Sequence, residues 1–275
     1  MEKDINKLRK TLIYILDEID KVCKKNSISY FLVAGTLLGA VRHKGFIPWD
    51  DDLDIAMTRD DYVKFEKVCK IEFPKDLYLK NRNTDPGYYL PFGKVCKRGT
   101  TYITDIDSEE LDSEIFVDVF PLDYEKQEGS LFQTIQGKLV KALKAVIIRK
   151  RGIKTKSTSF GVRILELLLL PFSLNYLMFL QEKIMILSNN KKYSYLANLG
   201  SNYHYKKQTM PKGFYLPPEC ILFEGKKYLA PAKTKKYLER LYGNDYMKLP
   251  PYEKRITHNI IRLEFGENYE KNNKD

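Results

Sequence analysis

A chain of 275 residues, 43% apolar and 30% charged, has the make-up of a soluble globular protein and can bury a real core in one or two domains. Its formal net charge of +11 suits an anionic partner such as a nucleotide, a nucleic acid or an anionic membrane face, without choosing among them. Cys23, Cys69, Cys96 and Cys220 form no C-x-x-C pair, which argues against zinc; with no apolar leader after Glu2, they are expected to be reduced thiols in the cytoplasm.

Residues 4–25 read as an amphipathic helix, with Ile5, Leu8, Leu12, Ile15, Ile19 and Val22 three or four apart. Tyr30 to Ala34 reads as a buried strand. A turn at Gly35 and a short helix over Thr36 to His43 follow. Pro48-Trp49 breaks the chain, and Asp50, Asp51, Asp52 and Asp54 arrive together with Leu53 and Ile55 between them. Leu53 to Met57 fits a second strand. Thr58 reads as an N-cap with Asp61 in the capping-box position, ahead of a helix from Arg59 to about Ile71.

Leu77 to Leu79 suggests a further strand and Asp85-Pro86-Gly87 a turn. Tyr88 to Val95 and Thr101 to Ile106 fit strands joined through Arg98-Gly99. Ile115 to Phe120 fits another, stopped by Pro121. Strands mixed with helices at uneven spacing indicate α/β or α+β. From Ser130 to Leu165 there is no acidic residue, and Lys138, Lys141, Lys144, Arg149, Lys150, Arg151, Lys154, Lys156 and Arg163 fall there. The apolar run Ile164 to Leu180 is interrupted by Glu166, Pro171 and Asn175, so it is short of the about 20 apolar residues of a spanning helix. A buried helix pair and an interfacial contact with anionic head groups both stay open. Strands return over 213–230, a helix over Ala232 to Tyr242 ends at Gly243, and 271–275 is a polar tail.

The acid cluster carries the chemistry. Like charges this close repel, so a positive partner is expected. In a strand starting at Asp52, Asp52 and Asp54 share one face and Asp51 faces away. Their Cα atoms lie roughly 6.6 Å apart, close enough to share Mg²⁺, which takes oxygen ligands and keeps places for substrate phosphates. Asp118, alone in the apolar run Phe116 to Phe120, is costly to bury unless paired or metal-bound and is the candidate third carboxylate. Gly35 would let the backbone approach a phosphate, with Thr36 at the helix start. The arrangement suits phosphoryl transfer.

These residues resemble the nucleotidyltransferase superfamily, and the run from Gly35 to Ile55 is similar to the signature of the LicD family. Lys94 to Thr100, Val117 to Asp123 and Tyr242 to Pro251 with Arg255 and His258 extend the likeness; residues 126–212 are unmatched. The resemblance implies an α+β fold: a polymerase-β-like core, with a mixed sheet flanked by helices, over residues 1–125. A helical insertion over 126–212 and a C-terminal part over 213–275 would complete it. It implies a phosphotransferase that moves an alcohol phosphate, phosphocholine above all, from a CDP-alcohol such as CDP-choline to a sugar hydroxyl of a teichoic acid or lipopolysaccharide precursor, releasing CMP.

Carried over residue by residue, the likeness makes Asp52 and Asp54 ligands of Mg²⁺, with Mn²⁺ as a substitute. Asp118 becomes a third ligand or the base. Gly35 and Thr36 hold the diphosphate, and Arg42, Lys44 and Lys94 neutralise phosphate. Trp49 could stack on a base, face a choline cation or serve packing; His43 and His258 could act in the site or in structure. The partners expected are the CDP-alcohol, a lipid-linked glycan precursor and the anionic inner face of the cell membrane, with no nucleic acid. The rivals are a nucleotidyltransferase that releases pyrophosphate, a glycosyltransferase with an Asp-x-Asp metal site, and a non-catalytic basic binder of membrane or nucleic acid.

Overall fold

The computed structural model describes residues 2–104, 114–153, 160–255 and 259–266. Helix α1 (Glu2–Lys25) buries Leu8, Leu12, Ile15 and Ile19, the expected stripe. The strand expected over Tyr30 to Ala34 shrinks to β1 (Phe31–Leu32), because the backbone turns left-handed at Ala34, φ 48°. Helix α2 (Ala34–His43) starts there, so Gly35 lies with Thr36 in its first turn rather than before it. The positive φ falls on a residue with a Cβ, a strained choice.

Strand β2 (Asp54–Thr58) pairs antiparallel with β1, Phe31 opposite Ala56. Helix α3 (Arg59–Glu72) is capped as the sequence indicates: Thr58 Oγ1 accepts the Asp61 amide at 3.3 Å and donates to the Asp61 carboxylate at 3.0 Å. Strands β3 (Leu77–Lys80), β4 (Gly93–Lys97) and β5 (Thr101–Thr104) follow. Residues 88–92 are irregular, bending over 90–92, rather than strand, and Asp105 and Ile106 lie outside the described residues. Strand β6 (Phe116–Glu125) runs on through Pro121, where a stop was expected. Proline removes one donor, which ends a strand only where that N–H faces a partner; pairing with the next strand begins later, at Asp123.

Helices α4 (Leu131–Lys150), α5 (Phe160–Leu168) and α6 (Leu174–Met185) follow. Then come β7 (Tyr195–Ala197), α7 (Tyr205–Gln208), β8 (Thr209–Pro211) and α8 (Lys212–Tyr215). β9 (Glu219–Phe223) and β10 (Lys226–Ala230) form a hairpin. Its two turn residues, Glu224 and Gly225, both have positive φ, as a tight right-twisted hairpin demands. Helix α9 (Thr234–Tyr242) ends at Gly243, and β11 (Ile260–Glu264) pairs antiparallel with β5.

The chain divides into two compact units. The first is assembled from Met1–Leu79, Lys94–Val119 and Phe214–Asp275, with strands in the order β1-β2-β6-β4-β3. The second comprises Lys80–Gly93 and Phe120–Gly213. There the later half of β6 pairs with β7, and β7 with β8, all antiparallel. Helices α4 and α6 pack through Leu143, Val146, Ile147, Leu177 and Met178. All four cysteines are free, Cys220 alone exposed.

The second unit buries polar groups. Glu125 accepts from the Ser188 hydroxyl at 3.1 Å. Burial pushes its carboxyl up from 4.5 to about 7, with Asp123 adding to the rise and the Ser188 and Gln136 hydrogen bonds opposing it. The folded form therefore holds this proton where the unfolded chain has lost it. Stability from this group falls as pH rises from about 4.5 to 7 and is level above. Glu125→Gln is expected to remove that fall. Urea unfolding should show it stabilised by about 1–2 kcal/mol at pH 8, after allowing for solvent screening, and close to the parent near pH 4.

Candidate active site

The acids gather beside β2. On one side the Val33 amide bonds the Asp54 carbonyl at 3.2 Å; on the other the Asp118 amide bonds the Leu53 carbonyl at 3.0 Å. Neighbouring strands thereby bring Asp118 alongside Asp52 to Asp54. β2 starts at Asp54, so Asp52 stands just before the strand rather than in it. The alternation reaches back all the same: Asp51 and Leu53 are buried, Asp52 and Asp54 less so. Burial first, then the charges of Asp52, Asp118 and Asp50, push the Asp54 carboxyl well above the usual range, and Lys94 opposes them. That field places Asp50 with the cluster. The Lys94 ammonium lies 3.7 Å from the Asp118 carboxylate and 3.2 Å from the centre of the Phe116 ring.

The first turn of α2 meets these acids. A methyl group added at Gly35 would stand 2.9 Å from Asp50 Oδ2. That oxygen is the end of a flexible side chain, so a larger residue at Gly35 would oblige the Asp50 carboxylate to move; the positive φ lies at Ala34 instead. Thr36 is buried, and its Oγ1 accepts the Asp54 amide at 2.9 Å. This bond ties the start of α2 to the start of β2. The Ala34 amide donates to the Tyr237 hydroxyl at 3.2 Å.

Arginines surround Trp49. Arg255 lies 4.5 Å and Arg42 5.9 Å from its ring centre. Arg42 donates to the Tyr246 and Lys248 carbonyls and to His43 Nε2. Burial, then Arg42, lowers the His43 pKa, so His43 is neutral and an acceptor here. Lys44 is exposed at φ 60° at the end of α2. His258 lies outside the described residues.

Two supports of the acid-bearing loop escaped the sequence reading. Arg9 reaches from α1, and one guanidinium nitrogen donates to the carbonyls of Ile47, Pro48 and Asp50 at 2.8–2.9 Å. Its charge also faces the Phe46 ring at 5.3 Å. Glu224, on the β9–β10 turn, accepts the Phe46 amide at 2.9 Å, and its own amide donates to the Lys44 carbonyl. Arg9 sits at the edge of the apolar stripe of α1, beside Leu8. That position hinted at an inward reach, but nothing local named its partners.

The donor set is chemically apt for a hard divalent cation: carboxylate oxygens, with no sulfur or imidazole among them. Among the described residues no three such side chains close into a preformed metal cage. Magnesium needs none, since it binds through one or two carboxylates and completes its shell with water and phosphate oxygens.

Residues 27–136 match the family described as LicD/FKTN/FKRP, nucleotidyltransferase domain. The chain is also 31% identical over 255 residues to the lipopolysaccharide cholinephosphotransferase LicD of Haemophilus influenzae, covering 90% of this chain and 92% of that protein. The chain belongs to the LicD family. It is a transferase, a phosphotransferase of the LicD type. A shorter likeness, 34% over 61 residues, links it to the ribitol 5-phosphate transferase FKRP of Homo sapiens, 22% of this chain and 12% of that protein. An uncharacterized protein of Rickettsia typhi, RT0683, is 43% identical over 86 residues, 31% of this chain and 26% of that one. The LicD match holds all four clustered acids, Gly35, Thr36 and Lys94; Arg9, Glu224 and Arg255 fall outside it.

Proposed function

We propose that this LicD-family chain moves an alcohol phosphate, phosphocholine foremost, from a CDP-alcohol to a sugar hydroxyl of a lipopolysaccharide or teichoic acid precursor. CMP is the other product. The observation that carries the reading is the set of carboxylates Asp50, Asp52, Asp54 and Asp118 gathered against the first turn of α2. The near full-length likeness to a lipopolysaccharide cholinephosphotransferase supports the choice of phosphocholine. The family's nucleotidyltransferase description supports a core of that type in the first unit.

On this reading Asp52 and Asp54, with Asp118 as a third ligand or as base, hold Mg²⁺, or Mn²⁺ in its place. The cation would neutralise diphosphate charge and polarise the phosphoryl group under attack. The chain's own groups do the rest. The amides of Gly35 and Thr36 face the donor phosphate at the positive end of α2. Lys94 adds charge beside Asp118. Arg42 and Lys44 border the same region, and Trp49 packs between Arg42 and Arg255. The acceptor oxygen bonds to the phosphorus bearing the alcohol as the bond to CMP breaks, and the hydroxyl proton passes to a carboxylate, Asp118 being placed for it. The enzyme would work in the cytoplasm at the inner membrane face, where a lipid-linked acceptor is presented.

Incubation with a panel of CDP-alcohols, Mg²⁺ and a lipid-linked acceptor should release CMP, fastest with CDP-choline. Pyrophosphate from CTP, with no CMP from any CDP-alcohol, would establish nucleotidyl transfer instead.

A further inference from the structure

Helix α5 turns its apolar side outward. Ile164, Leu167 and Leu168 recur at helical spacing and are exposed, the latter two at 67% each. On a surface helix such a stripe normally faces the core. Here the inward positions are taken by Leu165, packed against the α4–α6 core, and Glu166, paired with Arg149 at 3.0 Å. The outward stripe continues through Leu170, 59% exposed, and Phe172 to Tyr176 and Phe179 on α6, the last 57% exposed. The rings of Phe172 and Tyr176 stack at 5.1 Å. Soluble monomers rarely leave so many large apolar side chains together in water.

Cations rim the ridge. Lys150 donates to the Leu170 and Phe172 carbonyls, both of which belong to the ridge itself. Arg163 is exposed on α5, and Lys183, exposed on α6, lies 5.2 Å from the Phe179 ring centre. The acids over 160–187 are Glu166, already paired, and Glu182. No described helix is long and apolar enough to cross a membrane; the nine residues of α5 span only about 13 Å at 1.5 Å each.

We infer that the α5–α6 ridge is a docking surface for an anionic lipid bilayer, lying in the interface with its leucines and aromatic rings below the head groups and its cations among them. Apolar burial and attraction to anionic lipid act together in such helices. Each exposed cation adds about 5-fold in partition. The assignment deepens the reading of a membrane-borne acceptor and rests on it only for its purpose, because lipid binding is measured without any substrate.

Flotation of the full chain with vesicles tests it. Recovery with phosphatidylglycerol-containing vesicles should exceed that with phosphatidylcholine alone at least 10-fold. Leu168→Glu with Phe179→Glu should abolish it, and Arg163→Gln with Lys183→Gln should reduce it about 10- to 30-fold. All four positions are exposed, so folding should persist, checked by circular dichroism. Turnover on a soluble, lipid-free acceptor should be unchanged in these variants; that readout belongs to the proposed reaction and can fail by itself. No binding to either vesicle, equal binding to both, or a dimer in light scattering that the same glutamates dissolve would each overturn the assignment.

Discussion

Asp54→Asn is expected to abolish alcohol-phosphate transfer, by at least 10³-fold in kcat, while leaving the protein folded and slightly more stable. The two effects have one cause. Asp54 is partly buried, with the charges of Asp52, Asp118 and Asp50 acting on it and Lys94 opposing them. Holding an anion there works against folding, and a neutral isostere removes the repulsion. A gain of about 1 kcal/mol would raise the melting temperature by roughly 2–4 °C at this size. The same anion is what a phosphate-bound divalent cation requires, and losing one preorganised charge at a reacting phosphate costs orders of magnitude in rate. Asp51→Asn is the control: its side chain is buried on the other face, so its effect should fall on stability and spare turnover per folded molecule. Asp54→Asn with parental kcat, or a lowered melting point, would break the link between charge repulsion and catalysis.

Arg9→Met should slow turnover about 10- to 100-fold although Arg9 is remote in sequence from every candidate ligand. Its guanidinium bonds three carbonyls in the loop that delivers Asp50 to Asp54. Without it the Ile47 to Asp50 turn loses its fastening on the α1 side, while the Glu224 side persists. Displacement of about 1 Å in a positioning element is worth up to about 10² in rate. Stability should fall by about 1.5–3 kcal/mol, the range for hydrogen bonds to a charged group. Steady-state kinetics well below the melting point separate the two. A positioning role predicts a lower kcat and a weaker Mg²⁺ dependence in fully folded protein, partly restored in Arg9→Lys. Unchanged kcat and Mg²⁺ response alongside a lower melting point would reduce Arg9 to a structural residue.

What the sequence made legible was local. The stripe of α1, the Thr58 cap of α3 and the Gly243 end of α9 each depend on residues within a few positions of one another. The alternation Asp51, Asp52, Leu53, Asp54 was readable because a two-residue period survives just outside a strand. What was not legible is set by distant partners. Pro121 looked like a stop because the position of the β7 pairing could not be known. Gly35 looked like a turn residue, but it lies in a helical turn against the Asp50 carboxylate, while the left-handed backbone falls on Ala34 and leads on to Tyr237. Arg9 and Glu224 drew no role from the sequence because the backbone groups they hold belong to another segment. The run Ile164 to Leu180 left two readings open: the core that α4 and α6 share is one, and the outward stripe of α5 keeps the other in view.

The division of the first unit among three stretches of chain has a consequence for synthesis. Residues 1–79 and 94–119 carry every clustered acid, yet Glu224 and Tyr237 belong to the stretch from Phe214 onward. At ordinary translation speeds the ribosome needs on the order of 5–20 s to pass from residue 119 to 214. During that interval four like charges have already been made, with the turn of α2 still lacking the hydroxyl that holds its first amide. Gly213, the last residue of the second unit, is made before that stretch begins, so the supports that Glu224 and Tyr237 give to the acid-bearing region are added last.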